Sequence, residues 1–333
     1  MSDAKTNVTE IATAVGMLGV PKLGISTAAL PAIVGVDSKA WAPVVVAANG
    51  GQYADLFDVA YGNGVYFLNV ADGLRGRPPR TLQWKGPHKA VGDEAAPVDL
   101  RVDHVYLVSC KYLSKVLHNS SPVAVFDRLL VGGQGRRGGT DWFWEVAALE
   151  YQHYYEKVID VLGASGFPSN VGDLQKQHRD RLKVLGRLSA TELDLAAHRF
   201  HNRVATQSAQ RWKGNVGNDT ADQRRMLWRL LRIGSAPYFI LGAASDGPLR
   251  LRVSTPWDWT QRYDLRSFDI SPAQGGQPLV KWAATYDDRL AGTRGIVEGH
   301  IEIRWSHGKF CGPPEAKVYL DTALFDIPGY SPL

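Results

Sequence analysis

Pro97-Val98-Asp99-Leu100-Arg101-Val102-Asp103-His104-Val105-Tyr106-Leu107-Val108-Ser109-Cys110-Lys111-Tyr112 is the stretch on which the fold turns. It reads as two short strands joined by a tight turn. From Val105 onward β-branched and aromatic residues dominate, which suits a pleated, half-buried segment. Side chains alternate faces along a strand, so Ser109 and Lys111 share one face and Cys110 and Tyr112 the other. A reversal near Asp103-His104 brings Asp99 close to Ser109 and Lys111. An acid on one strand beside a lysine on the next suits metal-dependent phosphodiester hydrolysis. The acid helps hold Mg²⁺ or Mn²⁺ beside the scissile phosphate, and the lysine orients water or neutralises developing charge. The same residues also suit a structural hairpin whose lysine is solvated at a strand end.

The pattern Pro97-x-Asp99 … Ser109-x-Lys111-Tyr112 resembles the PD-(D/E)XK nuclease core, the fold of restriction endonucleases, over roughly residues 50–160. The resemblance implies an α+β fold, with a mixed central sheet flanked by helices. It implies Asp99 as the first metal ligand and Lys111 as the catalytic lysine. Ser109 stands where the family carries Asp or Glu, and a hydroxyl is a poor substitute for a carboxylate on a hard dication. Either another acid replaces it in space, or the scaffold binds DNA without cutting it. Glu94, just before Asp99, and Glu145, on a later helix, are the candidates to complete the metal site. A helix before the sheet often supplies a further acid in this family, a part open to Asp55 or Asp58. These two share a helix face, although on composition a polar outer face is the better account of them. Defence against foreign DNA, by restriction or another anti-phage route, is the role the resemblance implies.

A chain of 333 residues with 44% apolar and 21% charged residues is globular and long enough for a large core. Ten Trp and thirteen Tyr suit base-stacking surfaces or a large core equally. Two cysteines, Cys110 and Cys311, make no disulfide framework, so a reducing cytoplasm is expected. No signal peptide and no membrane span is expected. The net charge of +5 is uneven: residues 171–232 hold thirteen Lys/Arg and six Asp/Glu, a window of +7 that leaves −2 elsewhere. Such a concentration is the electrostatic footprint of a nucleic-acid binder, or a solvated helical face.

Three consecutive parts are expected: 1–165 as a nuclease-like α/β core, 166–235 as a basic helical insert, and 236–333 as a mainly β C-terminal region. Residues 1–50 read as loose strands or short helices, 52–60 as a helix, and Val65–Val70 as a buried strand. Ser121-Pro122 opens a helix to about Val131, and Asp141 caps a long helix from Trp142 to about Leu162. Two or three helices fill 171–233, with Arg211 to Asp219 as an exposed loop. Tyr238–Gly242 and Leu249–Val253 read as paired strands, and Thr255–Trp259 as a Trp-rich loop. Leu279–Tyr286, Ile296–Trp305 and Lys317–Asp321 read as further strands.

DNA phosphates are assigned to Arg136 and Arg137 in a glycine-rich loop and to Arg199, Arg203, Arg211, Lys213, Arg224, Arg225, Arg229 and Arg232 in the basic segment, and His307 and Lys309 sit in a polar turn fit for reading DNA. His198 and His201 have a spacing that can bind a metal, but no third ligand is evident. Glu298, His300 and Glu302 form a polar row on one strand. The leading expectation is a Mg²⁺-dependent DNA endonuclease that acts on DNA and can pair as a homodimer. The alternatives are a non-catalytic DNA-binding protein on the same scaffold, and a carbohydrate-binding or carbohydrate-processing protein that uses the C-terminal strands.

Overall fold

The computed structural model describes residues 4–25, 32–86, 98–112, 116–131, 141–163, 165–185, 191–244, 247–273 and 276–333. In chain order the helices are α1 (Ala4–Met17), α2 (Ser38–Ala48), α3 (Ala54–Asn69), α4 (Trp142–Leu162), α5 (Lys176–Leu185), α6 (Thr191–Val216), α7 (Thr220–Leu230) and α8 (Pro256–Arg262). The strands are β1 (Leu82–Trp84), β2 (Leu100–Val102), β3 (Tyr106–Tyr112), β4 (Val116–Ser120), β5 (Tyr238–Ala244), β6 (Gly247–Val253), β7 (Tyr263–Ala273), β8 (Leu279–Asp288), β9 (Thr293–Trp305), β10 (Pro314–Leu320) and β11 (Tyr330–Pro332). The fold is α+β.

Two compact units divide the chain. The first is built from 1–115, 231–263 and 323–333, the second from 116–230 and 264–322. Neither unit is one continuous stretch, unlike the three consecutive parts set out from the sequence. The reason lies in the strand pairing: β3 and β5 run parallel, with Leu107 opposite Tyr238 and Tyr112 opposite Ala243. Parallel neighbours need a long crossover between them. Here the crossover has grown to hold most of the second unit.

In the first unit a mixed sheet runs in the order β1-β2-β3-β5-β6-β11. Leu82, Trp84, Leu100, Val102, Val108, Phe239 and Leu241 turn one face of it toward the apolar sides of α1, α2 and α3. Residues 1–50 are thus largely helical. Asp37 caps α2 by accepting from the Ala40 amide at 2.8 Å. The strand expected over Val65–Val70 is instead the end of α3, whose buried residues Phe57, Ala60, Gly64, Phe67 and Leu68 follow the helical repeat. A short apolar run does not by its own pattern separate strand from helix.

α1 and α3 cross with their backbones touching. A Cβ on Gly64 would lie 2.1 Å from the Thr13 carbonyl oxygen, and one on Gly16 would lie 2.3 Å from that of Tyr61. Gly64→Ala is therefore expected to destabilise the protein by about 1–3 kcal/mol, since the helices must part to admit one methyl. Urea unfolding measures it, and an unchanged midpoint would show that the crossing is looser.

In the second unit a sheet runs in the order β4-β10-β9-β8-β7, with β10 antiparallel to both β4 and β9 and β8 antiparallel to β9. Strand β9 alternates cleanly: Val297, Gly299, Ile301 and Ile303 are buried, while Glu298, His300, Glu302 and Arg304 occupy the other face. α4 begins where expected, with the Asp141 carboxylate accepting from the Phe143 amide at 3.0 Å. α6 continues to Val216, so most of the loop expected from Arg211 to Asp219 is helix. Trp212, fully buried, anchors that last stretch despite the weak helix formers around it. Residues 123–127 form one wide helical turn rather than a helix to Val131. The Trp-rich segment after Thr255 is helix α8, closed by a reciprocal Thr255–Asp258 capping box. Strands β4 and β7 have no distinct sequence signature.

Trp142, Trp212, Trp259 and Trp282 are among the largest fully buried side chains, so much of the tryptophan content serves the cores. Trp257 is the exposed exception, at 69%. No helix among the described residues is long and apolar enough to cross a membrane.

Candidate active site

The β2–β3 hairpin closes through Asp103 and His104, both in the left-handed region at φ 48° and 58°. Asp and His tolerate that region better than most residues. The Asp103 carboxylate then accepts from the Arg80 and Thr81 amides at 2.7 and 2.9 Å, which ties the turn to the chain entering β1. Register follows, with Leu100 opposite Val108 and Arg101 opposite Leu107.

This register puts Asp99 beside Ser109. The Ser109 hydroxyl donates to Asp99 Oδ2 at 3.1 Å, and the Cys110 amide donates to the same oxygen at 2.6 Å. The backbone of Asp99 is pinned on both sides: its amide donates to Val108 O at 3.0 Å, and its carbonyl accepts from the Lys85 amide at 2.9 Å. Asp99 Oδ1 accepts no hydrogen bond from a described residue. One carboxylate oxygen is thus held by two donors, and the other has none among the described residues.

Lys111 lies two residues further along β3, on the Ser109 face. Its place depends on Gly242 of β5, where a Cβ would fall 1.8 Å from the Lys111 carbonyl oxygen. Burial pulls the Lys111 ammonium down to about 8, the Arg232 guanidinium pushes the same way, and Asp99, Cys110 and Glu10 oppose them. Glu10 belongs to α1 and is buried, accepting from Trp84 Nε1 at 2.6 Å. It is a second carboxylate within electrostatic reach of Lys111. On the opposite face, burial raises the Cys110 thiol well above its ordinary range, which leaves it unreactive.

The lowered lysine makes stability depend on pH. Between about pH 8 and 10.5 the unfolded chain holds more protons at Lys111 than the folded one, so this group's contribution to stability rises with pH across that window. Lys111→Met is expected to remove the slope. The stability difference between wild type and variant should change by up to about 3 kcal/mol. Tyrosines held protonated by burial, such as Tyr112 and Tyr330, act in the opposite sense but are common to both proteins. Denaturant unfolding at a series of pH values checks this, and a constant difference would contradict the lowered lysine.

The other residues singled out from sequence are dispersed. Glu94, Arg136 and Arg137 lie outside the described residues. Glu145 belongs to the second unit and receives Arg211 Nη1 at 2.6 Å. Arg211 also forks onto Asp127, at 2.5 and 2.7 Å, so its donors serve the α6 packing rather than standing open for phosphate. Arg203 faces Glu150 at 3.8 Å, Arg225 pairs with Asp222, and Arg224 lies over the Trp228 ring. Arg199 and Lys213 are exposed on α6. His307 is exposed and hydrogen-bonds Ser306, while Lys309 sits 5.9 Å from the centre of the Tyr154 ring.

Asp58 pairs with Lys22 and is exposed, as is Asp55. His201 is buried and held down to about 4 by desolvation and Lys309, whereas His198 is exposed. The β9 row is internally paired, His300 with Asp321 at 2.7 Å and Arg304 with Glu315 at 3.2 Å. Among the described residues no group of three or more His, Cys, Asp or Glu side chains is placed to hold a metal.

The sequence does not place two residues beside the hairpin. Glu10 stands at the edge of the apolar run from Ile11, and an acid there is a signal of burial with a partner. Arg232 is assigned to phosphate as one of the cations of the basic segment, but its bond to Ser109 is not visible in the sequence. No family model, curated protein or solved structure matches the chain.

Proposed function

We propose that the chain is a divalent-metal-dependent DNA endonuclease of the kind the PD-(D/E)XK resemblance implies, serving in restriction or anti-phage defence. The observation that carries this reading is the Asp99 carboxylate: one oxygen gripped by Ser109 and Cys110, the other with no donor among the described residues, and Lys111 in electrostatic reach. Such a carboxylate suits a hard oxygen-seeking cation. Asp99 would hold Mg²⁺ or Mn²⁺. When bound, the ion supplies charge stabilisation at the phosphate. Lys111 offsets the negative charge that grows on the phosphate oxygens, and Ser109 keeps Asp99 turned toward the ligand. The test is direct: supercoiled plasmid incubated with protein and Mg²⁺ or Mn²⁺ is expected to be nicked, and the nicking to stop with EDTA.

A second reading, DNA binding without cleavage, is favoured by Ser109. Its hydroxyl is engaged by Asp99 and Arg232, so it does not stand in as a metal ligand. Intact plasmid together with salt-sensitive retention of duplex DNA would select this reading.

A further inference from the structure

Arg232 follows α7 in the left-handed region, at φ 58°, and is 5% exposed. Its Nη1 donates to Ser109 Oγ at 3.2 Å and to the Tyr238 hydroxyl. Its Nε is buried with no hydrogen-bond partner among the described residues. The guanidinium makes no ion pair with a described carboxylate, and it meets Asp99 only through the Ser109 hydroxyl. A buried, permanently charged group is costly unless an anion neutralises it, and an orphaned buried donor in a folded protein asks for an explanation. Lys111, a half-buried cation, shares the Ser109 face of β3 and feels the Arg232 charge.

We propose that Arg232 binds an oxyanion, a non-bridging phosphate oxygen, in the Asp99–Lys111 site. The identity of that anion as a nucleic-acid phosphate rests on the endonuclease reading above. The binding of a tetrahedral anion rests on the guanidinium alone. The chemistry is that of a fixed planar fork, which matches two oxygens of one phosphate better than an ammonium does. It also gives Ser109 a reason. An acid at this position would pair with Arg232 and consume the charge, whereas a hydroxyl accepts from the arginine, donates to Asp99 and leaves the charge for the ligand.

The test uses the full chain, with inorganic phosphate as the probe. Thermal unfolding is followed against phosphate concentration for wild type, Arg232→Met and Arg232→Lys, with plasmid nicking measured in parallel. Wild type is expected to be stabilised by phosphate. Both variants should bind it about tenfold or more weakly, the cost of losing a charge-assisted hydrogen bond. Arg232→Met should unfold no lower than wild type without phosphate, because it removes a buried charge that lacks an anion. If the Met variant fails to fold, the Lys variant, which keeps the charge and loses the fork, decides by the same readout. Phosphate stabilisation that is equal in wild type and variants, or absent from wild type, overturns the proposal. Arg232-dependent phosphate binding in a protein that never nicks plasmid upholds it and overturns the endonuclease reading. Nicking that proceeds with phosphate binding unaffected by either substitution does the reverse.

Discussion

Asp99→Ala is expected to abolish metal-dependent nicking while leaving DNA binding in place. The rate should fall by about a thousandfold or more, since a catalytic ion supplies several kcal/mol of charge stabilisation and each ~1.4 kcal/mol is a factor of ten. A structural cost comes with it. The Cys110 amide and the Ser109 hydroxyl both donate to Asp99 Oδ2, and the variant leaves them without that acceptor. Stranding a buried donor costs about 1–3 kcal/mol. Asp99→Asn separates the two effects, because its side-chain oxygen accepts the same hydrogen bonds while the negative charge is gone. A folded Asn variant that binds DNA and does not nick would tie the loss to the charge. Metal-dependent nicking retained by both variants would remove Asp99 from the chemistry.

The largest stability effect is expected at Phe200, in the second unit. Its ring is fully buried and stacks on Tyr151 and Tyr154, with centroids at 5.4 and 5.7 Å. It also meets Phe143 edge-on at 5.2 Å and Trp305 at 5.7 Å, so helices α4 and α6 and strand β9 converge on this one side chain. Phe200→Ala should cost about 3–5 kcal/mol, the lost transfer energy plus the cavity that four rigid rings cannot close. Urea unfolding followed by tryptophan fluorescence measures it. A cost below about 1 kcal/mol, the level of an unremarkable surface change, would mean that the cluster repacks.

Much of the local structure is legible in residue order. The β2–β3 hairpin is one case: the apolar alternation, the turn-tolerant Asp103-His104 pair and the short spacing all act between near neighbours. Strand β9 and the capped start of α4 are others, since a period of two and an Asp before an amphipathic run are physical requirements of those elements. The cationic bias of 171–232 is visible as well, but not its use. Arg211 looks like a phosphate contact until Asp127 and Glu145 close on it. Val65–Val70 looks like a strand until Phe67 and Leu68 turn out to pack with Phe57 and Ala60 on one helical face.

Residue order carries Asp99, Ser109 and Lys111 to one place because a hairpin needs only local pairing. It does not bring in Glu10, 89 residues before Asp99, or Arg232, 121 residues after Lys111. Those two arrive because α1 packs beneath the sheet and because β5 adds parallel to β3, with Gly242 permitting the approach. Packing of that kind is selected by burial summed over a whole unit. It leaves no mark in any short window of sequence, which is why the approach of Glu10 and Arg232 to the hairpin emerges only from the folded chain.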